Sequence, residues 1–162
     1  MKRKYVLLAP SLCSDLEVYG LTNQKEWFYQ VKGDMVLRVI EDNAFKDIHI
    51  KEGEMFLLPG TYFPFTLSSV QAKPTKLGNT PHGPIRYADT IGLVMERKRP
   101  GGSLDRLRWY CEKGDHRDPT LIREEVFHCQ DLGEQLKAII EGWRNNESLR
   151  KCGVCGVVAD PE

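Results

Sequence analysis

The chain has 162 residues with 23 basic and 23 acidic side chains, a length that suits one domain or a domain with a small appendage. Its balanced charge gives no electrostatic case for binding nucleic acid or a membrane surface. The sequence contains no apolar run near the roughly 20 residues that span a bilayer, and the apolar run in residues 1 to 10 is too short for a signal peptide. We therefore expect a cytoplasmic protein.

Short strands separated by turns are predicted from residue 27 onward, whereas residues 1 to about 22 have weak periodicity and predict no element. The predicted strands cover residues 27 to 31, 35 to 40, 45 to 50, 55 to 58, 87 to 96, 108 to 111 and 126 to 129. Turn signals recur at intervals of about 8 to 12 residues, as in sandwiches and barrels. The pattern therefore predicts an all-β fold built as a small barrel.

One helix is predicted near the end of the chain. It begins at Asp131, with Glu134 three residues later as a capping-box partner. Five apolar side chains recur on one face of it, namely Leu132, Leu136, Ile139, Ile140 and Trp143. We expect that face to pack on the outside of the barrel.

Residues 61 to 78 interrupt the strand pattern with two prolines, no acidic residue and no steady period. A loop of that length without its own structure is uncommon inside a compact domain. Excision would join Pro59-Gly60 directly to Asn79 and the His82 that follows it. Two interpretations stay open, a retained intron or gene-model error, and a real surface loop.

A metal site is predicted from the spacing of five residues. Glu26 is followed after six residues by Gly33, Gly53 after five by Pro59, and His82 comes after the interruption. Carboxylate and imidazole are the ligands of divalent iron in oxygen-using enzymes, where two His and one carboxylate occupy one face. Taken alone, Glu26 would be a solvated charge and His82 a surface turn residue. The joint spacing favours iron ligands.

Arg86 and Glu96 are candidate substrate-binding residues beside that site. An arginine fork holds a carboxylate by two parallel hydrogen bonds, and a buried glutamate hydrogen-bonds an amine or hydroxyl. An ordinary surface ion pair is the alternative.

The cysteines are odd in number, and two of them, Cys152 and Cys155, form Cys-x-x-Cys. This spacing favours reduced thiols with a metal clip. Cys111 is the third candidate ligand, and His116 is a weaker fourth, because zinc accepts three cysteines and one histidine.

Long stretches of the chain resemble the 3-hydroxyanthranilate 3,4-dioxygenase family, over roughly residues 26 to 60 and 79 to 160. The matching motifs are EWFYQVKGDM from residue 26, EMFLLP from 54, NTPH from 79 with Pro84 and Arg86, ADTIGLV from 88 with Glu96-Arg97, LDRLRWYC from 104, and, as in fungal members, IREEVFH from 122 with DLG from 131.

The resemblance implies a cupin, an RmlC-like jelly-roll barrel, which uses non-haem Fe(II) and O2 to open the ring of 3-hydroxyanthranilate. The product, 2-amino-3-carboxymuconate semialdehyde, leads from tryptophan (the kynurenine pathway) to quinolinate and NAD. By the same resemblance Glu26 and His82 bind iron, and Glu26 also lies beside the substrate. Arg86 grips the substrate carboxylate, and Glu96 contacts the polar ring substituents. A homodimer is the expected assembly.

The chain departs from the family at three places. The family has a ligand histidine six residues before the ligand glutamate, where this chain has Gly20. Residues 1 to 20 also lack the family's Gly-Gly-Pro-Asn segment and a substrate-binding arginine. Cys152 and Cys155 resemble half of a rubredoxin-like site for zinc or iron whose upstream Cys-x-x-Cys is reduced to Cys111, with Gly114 in place of the second cysteine.

From these departures we predict the division of the chain into segments and two alternatives to the dioxygenase function. We expect a divergent segment at 1 to 25, the barrel at 26 to 110, and the helix with the cysteine knuckle at 111 to 162. One alternative to the dioxygenase is a catalytically impaired cupin acting at most as a binding module. Another is a small zinc-clip interaction protein built on the tail.

Overall fold

The strands of the chain, in which apolar and polar residues alternate, pair into two antiparallel sheets. The computed structural model describes residues 4–7, 18–21, 26–58, 80–96, 101–113 and 115–161. The strands within these ranges are β1 Lys4–Leu7, β2 Val18–Leu21, β3 Glu26–Lys32, β4 Met35–Glu41, β5 Ala44–Ile50, β6 Met55–Leu58, β7 His82–Arg86, β8 Ile91–Glu96, β9 Asp105–Cys111 and β10 Thr120–Phe127. One sheet has the order β1-β8-β3-β6 and the other the order β10-β9-β2-β7-β4-β5.

The two sheets face each other across an apolar core. The four-stranded sheet contributes Phe28, Leu58 and Val94, and the six-stranded sheet contributes residues of β4 and β5. Each fully buried side chain of this size adds about 1.5 to 3 kcal/mol to stability. Two antiparallel sheets packed in this way form a jelly roll, so the all-β prediction is confirmed.

Turn chemistry explains why the first hairpins form where the sequence predicted them. β4 and β5 are joined by Asp42 and Asn43, whose φ angles are 54° and 57°. Positive φ at both central residues is the geometry of a two-residue turn that follows the twist of the strands, and Asn and Asp tolerate it. Gly33, between β3 and β4, has a φ of 67°.

The prediction of one strand over residues 87 to 96 is wrong. Residues 87 to 90 form a turn in which Asp89 has a φ of 61°, and β8 begins at Ile91. β7, just before this turn, was not predicted, because Pro81, Gly83 and Pro84 resemble turn residues. β9 and β10 are also longer than the predicted 108 to 111 and 126 to 129.

The C-terminal helix α1, Leu132–Asn145, begins as predicted. The Asp131 side chain accepts a hydrogen bond from the Glu134 amide at 3.1 Å, which satisfies one of the free amides at the helix start. Trp143 stacks on Trp109 of β9 with ring centroids 4.7 Å apart. A short 3-10 helix, Glu147–Arg150, follows. Among the described residues, neither helix is long and apolar enough to cross a membrane.

The position of α1 differs from the expected outer surface. Gly20 pairs with both His82 and Leu107, and residues directly opposite each other share a face of the sheet. Trp109 lies two residues beyond Leu107 and therefore on that same face. The helix thus covers the inner face of the six-stranded sheet at its β9–β10 edge.

The N-terminal residues contribute one strand to each sheet. β1 pairs with β8, and β2 lies between β9 and β7. The predicted insertion at 61 to 78 lies outside the described residues, as does Cys13.

Candidate metal centre and substrate-binding site

Glu26 and His82 meet between the two sheets. Glu26 is the first residue of β3 and His82 the first of β7, and each is only 6% exposed. The Nε2 atom of His82 lies 3.1 Å from Oε2 of Glu26. A carboxylate and an imidazole buried together in this way supply two donors to one point, which suits a divalent iron.

The backbone fixes the orientation of the His82 ring. Its Nδ1 lies 3.0 Å from the carbonyl oxygen of Thr80, and since a carbonyl only accepts, Nδ1 carries the proton. Phe28 contacts the ring edge-on at 6.0 Å. Nε2 is therefore the nitrogen left for a metal or a proton, and a second hydrogen bond of this kind holds metal-binding histidines in the productive tautomer.

The charges around His82 favour its protonated form in the absence of metal. Burial by itself lowers the pKa of His82, but the hydrogen bond and negative charge of Glu26, with the Thr80 carbonyl and the charge of Glu96, raise the pKa above its ordinary value. A metal ion at Nε2 has to displace that proton.

Glu96 joins the pair from the neighbouring strand. It lies directly opposite Glu26 in the pairing of β3 with β8, so both carboxylates project from the same face of the sheet. Glu96 is half-buried, and its charge reaches His82. A carboxylate placed beside the metal pair suits an amine or hydroxyl on a ligand.

Arg86 lies four residues beyond His82 on β7 and is 2% exposed. Its Nη1 donates to Oε1 of Gln30 at 3.1 Å. Gln30 itself lies four residues beyond Glu26 on β3. Two side-chain pairs, Glu26 with His82 and Gln30 with Arg86, thus join the same two strands at successive levels of the core.

Position 20 lies beside this pair and carries no side chain. Gly20 of β2 lies directly opposite His82 of β7. The structure therefore brings two candidate iron ligands together and places a glycine next to them, at the position where the resemblance implies a ligand histidine.

A second cluster of candidate ligands lies at the tail. The ligand atoms of Cys111, His116, Cys152 and Cys155 all lie within 4.8 Å of one another. The sulfurs of Cys111 and Cys155 are 3.7 Å apart, and Nε2 of His116 is 3.7 Å from the Cys152 sulfur. A tetrahedral ion with bonds of about 2.3 Å separates its sulfur ligands by about 3.8 Å. The cluster therefore fits a tetrahedral metal.

The knuckle that carries two of these cysteines is prearranged. Hydrogen bonds from the Cys155 and Val154 amides, with the other thiols nearby, lower the pKa of the Cys152 thiol to about 6. The chain reverses after Cys155 at Gly156, whose φ is 74°. Thiolate is the form that binds metal, so the backbone favours the ligating state of Cys152.

An open groove of about 580 Å³ borders the cysteine cluster. Cys111 and His116 form one part of its wall, and Arg38 and Phe45 of the β4–β5 hairpin form another. Arg38 donates to Asp47 at 2.8 Å and to Glu112 at 3.1 Å. The groove gives an ion a path from solvent to the cluster.

Sequence reasoning named Arg86 but missed Gln30, which is fully buried beside it. The available signal was the alternation of β3, where Glu26, Phe28 and Gln30 share one face. A polar residue on the buried face of a strand must find a partner.

Comparisons with known proteins found a matching family and several similar proteins. A model of a family described as 3-hydroxyanthranilic acid dioxygenase matches residues 12–70 and 73–144. The chain is 60% identical over 157 residues to "3-hydroxyanthranilate 3,4-dioxygenase 2" of Aspergillus clavatus, covering 97% of this chain and 70% of that protein. It is 62% identical over 141 residues to the protein of the same name in Aspergillus fumigatus, with 87% and 65% covered.

A more distant relative is "3-hydroxyanthranilate 3,4-dioxygenase" of Pyricularia oryzae. It is 49% identical over 142 residues, covering 88% of this chain and 67% of that protein. The chain thus spans about two thirds of the length of the curated relatives it matches.

Proposed function

The chain belongs to the 3-hydroxyanthranilic acid dioxygenase family, and from this premise we propose that it is an Fe(II)-dependent dioxygenase. It opens the ring of 3-hydroxyanthranilate with O2 and gives 2-amino-3-carboxymuconate semialdehyde. The observation that carries the proposal is the buried contact of Glu26 with His82 at 3.1 Å. These two side chains would hold the iron, with Oε2 of Glu26 and Nε2 of His82 as the nearest donor atoms.

Fe(II), when bound, supplies the electrons that let O2 react with an aromatic ring. The side chains of the chain orient the substrate and exclude water. Glu26 and Glu96 lie opposite each other on adjacent strands; Glu26 would lie beside the substrate, and Glu96 would contact the amine and hydroxyl of its ring. Because both sheets shield this point from solvent, each polar contact there is stronger than it would be in water.

Arg86 binds the substrate carboxylate. It projects from the same face of β7 as His82, four residues away. Its guanidinium offers two parallel donors that match the two carboxylate oxygens. Arg86 would thereby hold the carboxylate end of the ring, with the amine and hydroxyl end toward Glu26 and His82.

An impaired cupin is the second candidate function, and Gly20 is the observation that favours it. With glycine opposite His82, the chain supplies two iron ligands where the family supplies three. Such a protein keeps Arg86 and Glu96 as a pocket for an anion and an amine and acts as a binding module.

We also propose a structural metal, zinc or iron, at Cys111, His116, Cys152 and Cys155. The 3.7 Å separations support it. Three thiolates and one imidazole are a set that zinc accepts. The ion would join the end of β9 to the knuckle and hold the tail in place.

The wider setting follows from the proposed reaction. We place the chain in the cytoplasm, in the synthesis of quinolinate and NAD, and as a homodimer. The outer face of the four-stranded sheet suits a second copy, because Trp27 stacks on Tyr29 there and Met55 and Leu57 are 63% and 54% exposed.

One experiment tests these assignments together, namely ring-opening activity on 3-hydroxyanthranilate and metal content measured on the same purified sample. Iron with product formation is expected. An iron-free, inactive protein would support the binding module instead, and zinc without iron would support an interaction protein built on the tail.

A further inference from the structure

The amide orientation of Gln30 is set by its surroundings. Its Nε2 donates to the carbonyl oxygen of Gly33 at 2.9 Å, so Oε1 is the end that faces Arg86. The backbone of Gln30 is held as well. Its backbone N–H donates to the Glu54 carbonyl at 3.1 Å, and its backbone carbonyl accepts from the Gly53 N–H at 2.8 Å. Gln30 is 0% exposed and therefore presents one acceptor to Arg86 in one place.

The Gly33 carbonyl, which accepts the hydrogen bond from Nε2 of Gln30, is fixed by the turn after β3. Gly33 has a φ of 67°, and a Cβ there would lie 2.7 Å from Cγ2 of Thr90. Only glycine combines that backbone conformation with that close approach. The carbonyl that orients Gln30 thus belongs to a turn that packs directly against Thr90.

Gly92 leaves space for the contact between Gln30 and Arg86. It lies opposite Gln30 in the pairing of β3 with β8. A Cβ at this position would lie 2.2 Å from Oε1 of Gln30 and 2.1 Å from Nη1 of Arg86. The hydrogen bond therefore occupies the volume that any other residue at position 92 would fill.

We propose that Gln30 is a positioning residue that fixes the guanidinium of Arg86 for binding a carboxylate, an inference that rests on the proposed function. An arginine side chain has many rotamers, and ordering them on binding weakens affinity. Holding Nη1 in the free protein removes that cost. Because the Gln30 amide is neutral, this contact orients the guanidinium without cancelling its charge.

The test uses two ligands that differ only in the carboxylate, 3-hydroxyanthranilate and 2-aminophenol. Their dissociation constants are measured by calorimetry without O2, on wild type and on the variants Gln30→Leu and Arg86→Ala. Asp131→Ala is the matched control, because it removes a hydrogen bond to the Glu134 amide at the start of α1 and leaves Gln30, Arg86 and the turn at Gly33 unchanged.

We expect wild type to prefer the carboxylate ligand and Arg86→Ala to lose that preference. Gln30→Leu should lower the preference about tenfold, the size of one hydrogen bond to a charged group, with 2-aminophenol binding within about twofold of wild type. A purely structural role would weaken both ligands equally. Gln30→Leu with the full wild-type preference would overturn the proposal.

A second measurement keeps the result interpretable if wild type binds neither ligand, an outcome that would count against the proposed function itself. It compares the guanidinium nitrogen NMR signals of Arg86, assigned with Arg86→Lys, in wild type and Gln30→Leu. Distinct Nη signals that average in the variant support the positioning role. Unchanged signals overturn it.

Discussion

Gly20 lies directly opposite His82 where β2 pairs with β7. Since His82 projects into the core, a side chain at position 20 would project into the core beside it. We predict that Gly20→His raises iron affinity by at least about tenfold, because a third ligand completes a facial set of donors. Affinity is measured by competition with a chelator.

Tyr19→His is the matched control for this substitution. Tyr19 is the neighbouring residue on β2 and pairs with Arg108, and successive positions of a strand alternate between the two faces of a sheet. Iron affinity should not change in this variant. Equal affinities in Gly20→His and wild type would show that position 20 does not reach the metal.

Gly92→Ala tests how tightly the core is filled around Arg86. The new methyl would overlap Nη1 of Arg86 and Oε1 of Gln30, and we expect a loss of about 1 to 3 kcal/mol in the free energy of unfolding. Urea denaturation measures it. Gly142→Ala is the control, because no atom lies within 4 Å of its added Cβ, and alanine within α1 should stabilise by about 0.8 to 1 kcal/mol.

The stability of the metal-free protein should depend on pH through His82. Because Glu26 raises the pKa of His82 in the folded state, its contribution is fully present below the ordinary value near 6.5. The contribution is lost as the pH rises through the raised pKa. We therefore expect the free-energy difference between wild type and Glu26→Gln to shrink as the pH rises above 6.5.

The comparison of wild type with Glu26→Gln is needed because Cys152 changes the free energy of unfolding with pH in the opposite direction to His82. Its folded-state pKa is lowered from 9.0 to about 6, so its contribution is present above the unfolded value and is lost as the pH falls toward 6. Both proteins share this effect, and subtraction removes it. A difference that stays flat between pH 6 and 9 would contradict the role assigned to His82.

Removing one tail cysteine should release one metal ion per chain. Cys155→Ser takes a sulfur away from the cluster, and since an incomplete set binds zinc weakly, the melting temperature should also fall. Native mass spectrometry and thermal unfolding measure the two effects. Cys129→Ser is the control, because Cys129 lies outside the cluster, and metal loss in that variant would count against the assignment.

Residues 61 to 78 should be dispensable for the barrel. Leu58 pairs with Glu26, and His82 contacts Glu26 from the other side of the segment, so the two flanking ends converge on one residue. We expect a variant lacking 61 to 78 to keep its melting temperature and metal content. Sequencing the transcript decides whether these codons occur in the message, and an unfolded variant from a message that retains them would contradict the prediction.

The turns explain how far the sequence predicted the fold. The hairpin at Asp42 and Asn43 is local, so residue preference is enough to locate it. β7 was missed because Pro84 lies within a central strand, where proline is rare. Pairing with β4 places Pro84 opposite Leu37, and long-range pairing of this kind is invisible to residue preference.

The metal pair of the site was predictable because its residue types and their spacing indicate metal ligands. Glu26 and His82 stood out by residue type and by the glycines around them, and the structure brings them together across 56 positions. Gln30 carries no such mark, because an amide in a strand is usually exposed. Alternation along β3 puts Gln30 on the buried face, but its partner, Arg86 of β7, is known only from the structure.

Strand β9 connects two parts of the molecule that chain order keeps far apart. Toward its end, Trp109 stacks on Trp143 of the helix, and Cys111 belongs to the tail cluster. Nearer its start, Leu107 pairs with Gly20, which lies opposite His82. The tail is therefore anchored to β9, and an ion bound at the tail would restrain the strand that pairs with β2, where a third iron ligand would lie.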